Sequence, residues 1–115
     1  MDWSNYVLKY VESYEGEDSL GRDVSGRSEY FCPVSDLCEG EEVKWDRYRS
    51  GYPAVKCKKV DEDGITVLFT NYFNPVDRTA ATREVTLTPA SNSWGHSLGG
   101  GRYDYTYELM LVRKE

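Results

Sequence analysis

The sequence has little positive charge and no long apolar run, and each shortage excludes a class of protein. Fourteen Lys and Arg against twenty Asp and Glu give a net charge of −6. An acidic surface opposes tight binding to nucleic acid or to an anionic membrane. No apolar run approaches the roughly 18 residues of a membrane-spanning helix. We therefore expect neither a nucleic-acid nor a membrane partner.

Cysteine and histidine are also scarce. Three cysteines make an odd set for a disulfide framework, and the N-terminal residues lack the basic and apolar regions of a secretory signal. We therefore expect a reducing compartment, by default the cytoplasm. The four potential metal ligands do not show the usual spacing of a zinc site, so the sequence predicts no metal and no cofactor. These ligands are Cys32, Cys38, Cys57 and His96.

The clearest local structure that the sequence does contain is a β-hairpin over residues 55–69. Two apolar, β-branched runs flank Asp61-Glu-Asp-Gly64, which favours a type I turn with Gly64 at positive φ. In a regular strand Val60 would point to the opposite face from Val55, so we expect a β-bulge at Lys58-Lys59 that returns Val60 to the core face.

Near the N-terminus the pattern favours a helix. Gly16 stands where a C′ glycine belongs, and residues 16–29 are small and polar, which predicts a loop. A helix over about residues 3–15 is predicted because its aromatic and aliphatic residues recur at spacings of three and four. They are Trp3, Tyr6, Val7, Tyr10, Val11 and Tyr14.

Further along the chain the period changes to two. Alternation predicts strands at 43–48, 84–88 and 103–113, whereas residues 90–102 predict a Gly-rich loop around Trp94 and His96. We expect a mainly β (α+β) single domain over residues 1–115. After the helix and loop, about five antiparallel strands would form a small barrel or roll over residues 30–113.

Part of this pattern resembles a known fold. The runs Gly40-Glu-Glu-Val-Lys-Trp45 and Tyr52-Pro-Ala-Val55, followed by the Asp-Glu-Asp-Gly hairpin, are similar to the opening strands of SH3-like barrels such as Tudor-type modules. The resemblance covers residues 40–69 and implies a fold only, because no aromatic-cage residue can be matched by position.

Positive charge is concentrated in residues 44–59, which hold six cations against Asp46 alone. If the strands at 43–48 and 55–60 are neighbours, these cations share one face. That face either binds an anionic ligand, with Tyr48 and Tyr52 interleaved, or is solvated and guards a strand edge. We favour the solvated face because the rest of the chain is acidic.

A second feature is the alternation of Tyr103, Tyr105 and Tyr107. Exposed, this ladder would stack on sugar rings, bases or proline-rich peptide. Buried, it would form the core beneath the N-terminal helix, which is the interpretation that we favour.

Motifs of catalysis are missing: the sequence has no nucleophile elbow, phosphate-binding loop or metalloprotease helix. We predict a monomeric, non-catalytic binding domain for a protein or other polymer partner, with protein the main expectation. One alternative is a small acidic inhibitor or immunity-type protein, and another is a small hydrolase-like enzyme using His96. The candidate binding residues are Lys44, Arg47, Tyr48, Arg49, Tyr52, Lys56, Lys58, Lys59, Trp94, His96, Tyr103 and Tyr105.

Overall fold

A computed structural model describes residues 2–49, 51–74, 76, 78–99 and 101–114. Within these ranges the chain forms two antiparallel sheets and two short 3-10 turns, Trp3–Asn5 and Val34–Asp36, and none of its helices is long and apolar enough to cross a membrane. The strands are β1 (Tyr6–Glu17), β2 (Asp23–Pro33), β3 (Ala54–Val60), β4 (Ile65–Tyr72), β5 (Ala80–Leu87), β6 (Ser93–Leu98) and β7 (Tyr103–Arg113).

The two sheets form a sandwich around one core. The four-stranded sheet has the order β2-β1-β7-β6, and the three-stranded sheet has the order β3-β4-β5. Phe69 of β4 lies between them, with its ring centroid 5.0 Å from that of Trp94 and 6.3 Å from that of Tyr10. The expectation of a mainly β protein is confirmed, but the described strands do not close into a barrel.

The predicted N-terminal helix is wrong, because most of its residues form β1. β1 lies between β2 and β7, and Leu8 and Tyr10 on its inner face are fully buried. Val7 and Val11 occupy the opposite face. A central strand with apolar residues on both faces produces spacings of three and four, which imitate a helix. Gly16 is a strand residue that leaves room for the Arg102 carbonyl.

Three other expectations are corrected. The predicted loop over 16–29 contains the end of β1 and most of β2, and the predicted loop over 90–102 contains β6. The predicted strand over 43–48 is irregular chain instead. Its backbone covers the edges of both sheets, since Val43 N donates to Val55 O (2.9 Å) and Asp46 N donates to Phe31 O (2.9 Å).

The hairpin, its bulge and the last strand are confirmed. β3 pairs with β4 with a register shift between Cys57 and Lys59, and β7 spans residues 103–113. The turn differs from expectation because Gly64 does not have positive φ. Glycine is required there for another reason: a Cβ atom would lie 2.5 Å from the Leu87 carbonyl oxygen.

Candidate functional site

The core changes character from one end of the sandwich to the other. On β4, the buried aliphatic and aromatic residues end at Asn71, which is only 3% exposed. On β7, the exposed fraction rises from 8% at Tyr107 to 39% at Tyr105. The inward residues of β7 are, in order toward this end, Leu111, Leu109, Tyr107, Tyr105 and Tyr103. The aliphatic core therefore gives way to tyrosine and polar groups.

At this polar end the sheets part and leave a cleft with two compartments. One, of about 310 Å³, is lined by Asn71 at the end of β4. The other, of about 380 Å³, is lined by Glu12 and Arg49. Tyr52, Tyr105 and Tyr107 line both compartments. We call this site the tyrosine cleft, and its aromatic lining is Tyr14, Tyr52, Tyr72, Tyr103, Tyr105 and Tyr107.

The rings support one another without filling the cleft. Tyr105 and Tyr107 are nearly parallel, with centroids 6.4 Å apart and an interplanar angle of 6°. Tyr14 packs edge-on to Tyr103 at 5.9 Å. Gly26 on the neighbouring strand leaves room for the Tyr14 ring, which a Cβ atom there would displace. The cleft thus presents ring faces held in place by their neighbours.

A buried ion pair forms the floor of the second compartment. Arg49 Nη2 lies 2.8 Å from Glu12 Oε2, and the Arg49 side chain is only 10% exposed. Glu12 also accepts hydrogen bonds from the hydroxyls of Tyr10 (3.0 Å) and Tyr30 (3.3 Å). Arg49 donates in addition to the Pro53 carbonyl. Three donors therefore occupy most of the roughly four lone-pair positions of the Glu12 carboxylate.

Burial sets the ionisation of these groups. It raises the pKa of Tyr10 far above the ordinary value of 10.0, so this hydroxyl remains a donor to Glu12. Burial by itself lowers the pKa of Arg49, but the Glu12 carboxylate reverses the effect and the net shift is upward. The floor of the second compartment therefore consists of Glu12 and Arg49, whose opposite charges balance each other.

Two buried N–H donors lack partners among the described residues, and both residues line the cleft. Asn71 Nδ2 lies in the first compartment and Arg49 Nε lines the second. Burial raises the pKa of Tyr107, and the neighbouring Asn71 side chain opposes that shift. A buried donor without a partner costs about 1–3 kcal/mol. A ligand acceptor that displaced the groups covering either donor and bonded to it would recover this cost.

The cationic segment does not form the single face that the sequence suggested. Lys58 pairs with Glu84 at 2.8 Å, and Lys59 pairs with Asp61 at 3.2 Å. Arg47 donates to the Glu29 carbonyl and lies over the Tyr30 ring. The remaining members, Lys44, Lys56 and Tyr48, are exposed, with Tyr48 at 91%. Of the candidate binding residues in this segment, Arg49 and Tyr52 line the tyrosine cleft.

Trp94 and His96 lie on the inner face of β6. Trp94 packs on Phe69, and His96 lies 4.6 Å from the Phe73 ring centroid. Burial lowers the pKa of His96, and the positive charge of Arg83 adds to that effect. The buried Nε2 atom makes no hydrogen bond within the part of the chain that is described. His96 therefore acts as a neutral aromatic ring in the packing.

The tyrosine ladder combines both interpretations of the sequence. Tyr107 belongs to the core, whereas Tyr103 and Tyr105 line an open cleft. The sequence argument missed Glu12 and Asn71. Glu12 stands between inward tyrosines once residues 6–17 are read as a strand, and Asn71 ends the alternation of the β4 core residues.

The cysteines take no part in the cleft. All three are free thiols, and burial raises the pKa of Cys32 to about 11. Among the described residues, no group of three or more His, Cys, Asp or Glu side chains is arranged to hold a metal ion.

Comparisons of the chain with protein-family models, with curated proteins and with solved structures found no match. The resemblance to SH3-like barrels gains no support from them, and the described strands form an open sandwich instead.

Proposed function

We propose that this protein is a non-catalytic recognition domain that binds a protein or other polymer partner in the tyrosine cleft. The observation that carries the proposal is the buried, unpartnered Asn71 amide at a cleft lined by tyrosines. Tyrosine provides a large contact area at low conformational entropy. A concave site of a few hundred Å³ with a few placed polar groups is typical of ligand binding.

The proposal that the domain is not an enzyme rests on the same contacts. The Glu12 carboxylate is occupied by three donors, and His96 packs among aromatic rings without hydrogen-bonding a Cys, Ser or carboxylate among the described residues. A hydrolase using His96 needs such a neighbour as its base or nucleophile. Hydrolysis of a panel of ester and peptide substrates that disappears in His96→Ala would favour the enzyme instead.

The binding proposal is tested by selection of ligands from a random peptide library and a panel of oligosaccharides. Each ligand retained by the wild type is then measured against Tyr105→Ala and Tyr48→Ala. We expect a loss of about tenfold or more only with Tyr105→Ala. Tyr48 is the matched control because it is more exposed than Tyr105 and lines neither compartment. Equal binding by both variants would exclude the cleft as the site.

A second candidate is the acidic inhibitor or immunity-type protein. It is favoured by the outer face of the four-stranded sheet, where Glu15 stands opposite Asp104 and Glu17 stands opposite Asp23. Like charges directly opposite on neighbouring strands are destabilising, and a basic partner would relieve them. For this candidate, Glu15→Lys with Glu17→Lys would abolish binding to a basic partner, and Tyr105→Ala would not.

The monomeric state, the single domain and the cytoplasmic location remain proposals. The covered edges of β2 and β3 favour a monomer, because a strand edge that is already paired does not recruit another chain. The free thiols are those of a protein that works in a reducing compartment.

A further inference from the structure

We infer that the tyrosine cleft is built for a proline-rich segment in the polyproline II conformation. This inference rests on the proposed function and names the chemical class of its ligand. The unmet hydrogen-bonding capacity among the buried atoms of the cleft lies with donors.

The unpartnered polar atoms buried at the cleft are both N–H donors. They are Asn71 Nδ2 in the first compartment and Arg49 Nε in the second. The carboxylate that lines the second compartment belongs to Glu12, and Tyr10, Tyr30 and Arg49 already donate to it. A ligand that brings acceptors matches these donors, and a ligand with few donors of its own makes no demand on the occupied Glu12 carboxylate.

Proline-rich chains meet this condition better than the other polymers that stack on aromatic rings. Each proline has a carbonyl acceptor and no N–H donor, whereas each sugar hydroxyl brings a donor that needs an acceptor. A nucleic acid brings phosphates to a protein of net charge −6, and two of the arginines that line the cleft, Arg27 and Arg49, are already paired with glutamates. The polyproline II helix is also ordered before it binds, which reduces the entropic cost.

The ring geometry fits the same ligand. Tyr103 to Tyr107 cover about 14 Å of strand, at about 3.4 Å for each residue. A polyproline II segment covers that length with about four or five residues, at about 3.1 Å for each. The rings of Tyr103 and Tyr105 line the open cleft with their centroids 6.3 Å apart, and Tyr52 lines both compartments beside Tyr105. Grooves lined by aromatic rings in this way accommodate the flat, rigid rings of proline.

The test measures binding of a ten-residue oligoproline, with a glycine–serine peptide of equal length as the control ligand. The proteins are the wild type, Tyr105→Ala, Asn71→Leu and Tyr48→Ala. We expect the wild type and Tyr48→Ala to bind oligoproline at least tenfold more tightly than the control peptide. Tyr105→Ala and Asn71→Leu should each lose about tenfold in affinity.

Asn71→Leu separates recognition from folding. The variant removes a buried unpartnered donor while keeping the size of the side chain, so its Tm should rise while its affinity for oligoproline falls. Unchanged affinity in Asn71→Leu would contradict the role of this donor, and unchanged affinity in Tyr105→Ala would place the peptide elsewhere.

The other outcomes distinguish the ligand class from the function. If oligoproline does not bind but an oligosaccharide or a proline-free peptide binds and loses affinity in Tyr105→Ala, the ligand class is wrong and the recognition function stands. If no ligand of any class depends on Tyr105, both proposals fail.

Discussion

At the residue scale, Glu12 connects the groups that form the floor of the second compartment of the tyrosine cleft. Its carboxylate accepts from two tyrosine hydroxyls of the four-stranded sheet and pairs with Arg49 from the connection between the sheets. Removing one member of a buried pair leaves the other charge uncompensated, which costs more than the pair contributes to stability. The pair therefore fixes the position of the floor more than it stabilises the fold.

The first prediction compares this pair with an exposed one. Arg49→Met should lower the free energy of unfolding by about 2–4 kcal/mol, because Glu12 then stays half-buried without its cation. Lys58→Met is the control, since Lys58 and Glu84 are both about half exposed and such pairs contribute about 0.2–1 kcal/mol. Urea denaturation measures both variants. Equal losses in the two would contradict the buried role of Arg49.

The second prediction concerns His96, the only histidine. Its pKa is lowered from 6.5 in the folded protein by burial and by Arg83, so the unfolded chain takes up the proton first as pH falls. Stability should decrease from pH 6.5 downward and level off below the folded pKa. Urea denaturation at pH 7.5 and 5.5 should show a larger decrease for the wild type than for His96→Phe, which keeps the aromatic packing.

An equal decrease in the wild type and in His96→Phe would mean that His96 titrates normally. The histidine ring resonances give a direct check by NMR titration, because they should report a midpoint below 6.5 in the folded protein.

At the element scale, β1 shows why the sequence predicted only part of the fold. The β3–β4 hairpin and its bulge follow from local alternation and turn chemistry, and β7 follows from the regular alternation of tyrosine and leucine along its inner face. β1 is central and apolar on both faces, and the side chains that cover it come from distant residues such as Met110. A local pattern contains no information on that coverage.

The candidate site was predicted to a similar extent. Tyr52, Tyr103 and Tyr105 were proposed from the sequence and line the cleft. Glu12 and Asn71 could not be found, because their roles depend on the register between strands far apart in the chain. Charge density along the sequence also proved misleading, since Lys58 and Lys59 pair with nearby carboxylates.

The third prediction tests the tight approach of the hairpin turn to β5. Gly64→Ala should lower the free energy of unfolding by about 1–3 kcal/mol, because the added methyl group meets the Leu87 carbonyl and the backbone must shift. Gly95→Ala in β6 is the control, since its Cβ atom would lie 3.6 Å from the nearest atom, an ordinary contact. A loss in Gly95→Ala as large as that in Gly64→Ala would contradict the steric explanation.

At the scale of the whole molecule, the tryptophans make contacts that connect the two sheets. Trp3 Nε1 donates to the Asp61 carbonyl of the hairpin (2.8 Å), and Trp94 packs on Phe69 across the core. Trp45 stacks on Tyr10 at 5.7 Å from the connection between the sheets. The two sheets therefore share one core and should unfold together.

The fourth prediction follows from that arrangement. Tryptophan fluorescence reports contacts between the sheets, and far-UV circular dichroism reports the strands, so the two urea transitions should coincide. Phe69→Ala should shift both midpoints together and lower the free energy of unfolding by about 3–5 kcal/mol. Two separate transitions would mean that the sheets are independent units.

An NMR titration with the best ligand from the library decides whether recognition takes place in the tyrosine cleft. Resonances of Tyr103, Tyr105 and the Asn71 side-chain amide should shift, while those of Lys56 and Lys58 on the outer face of the three-stranded sheet should not. Shifts centred on the lysine face, with the Asn71 amide unchanged, would contradict the claim.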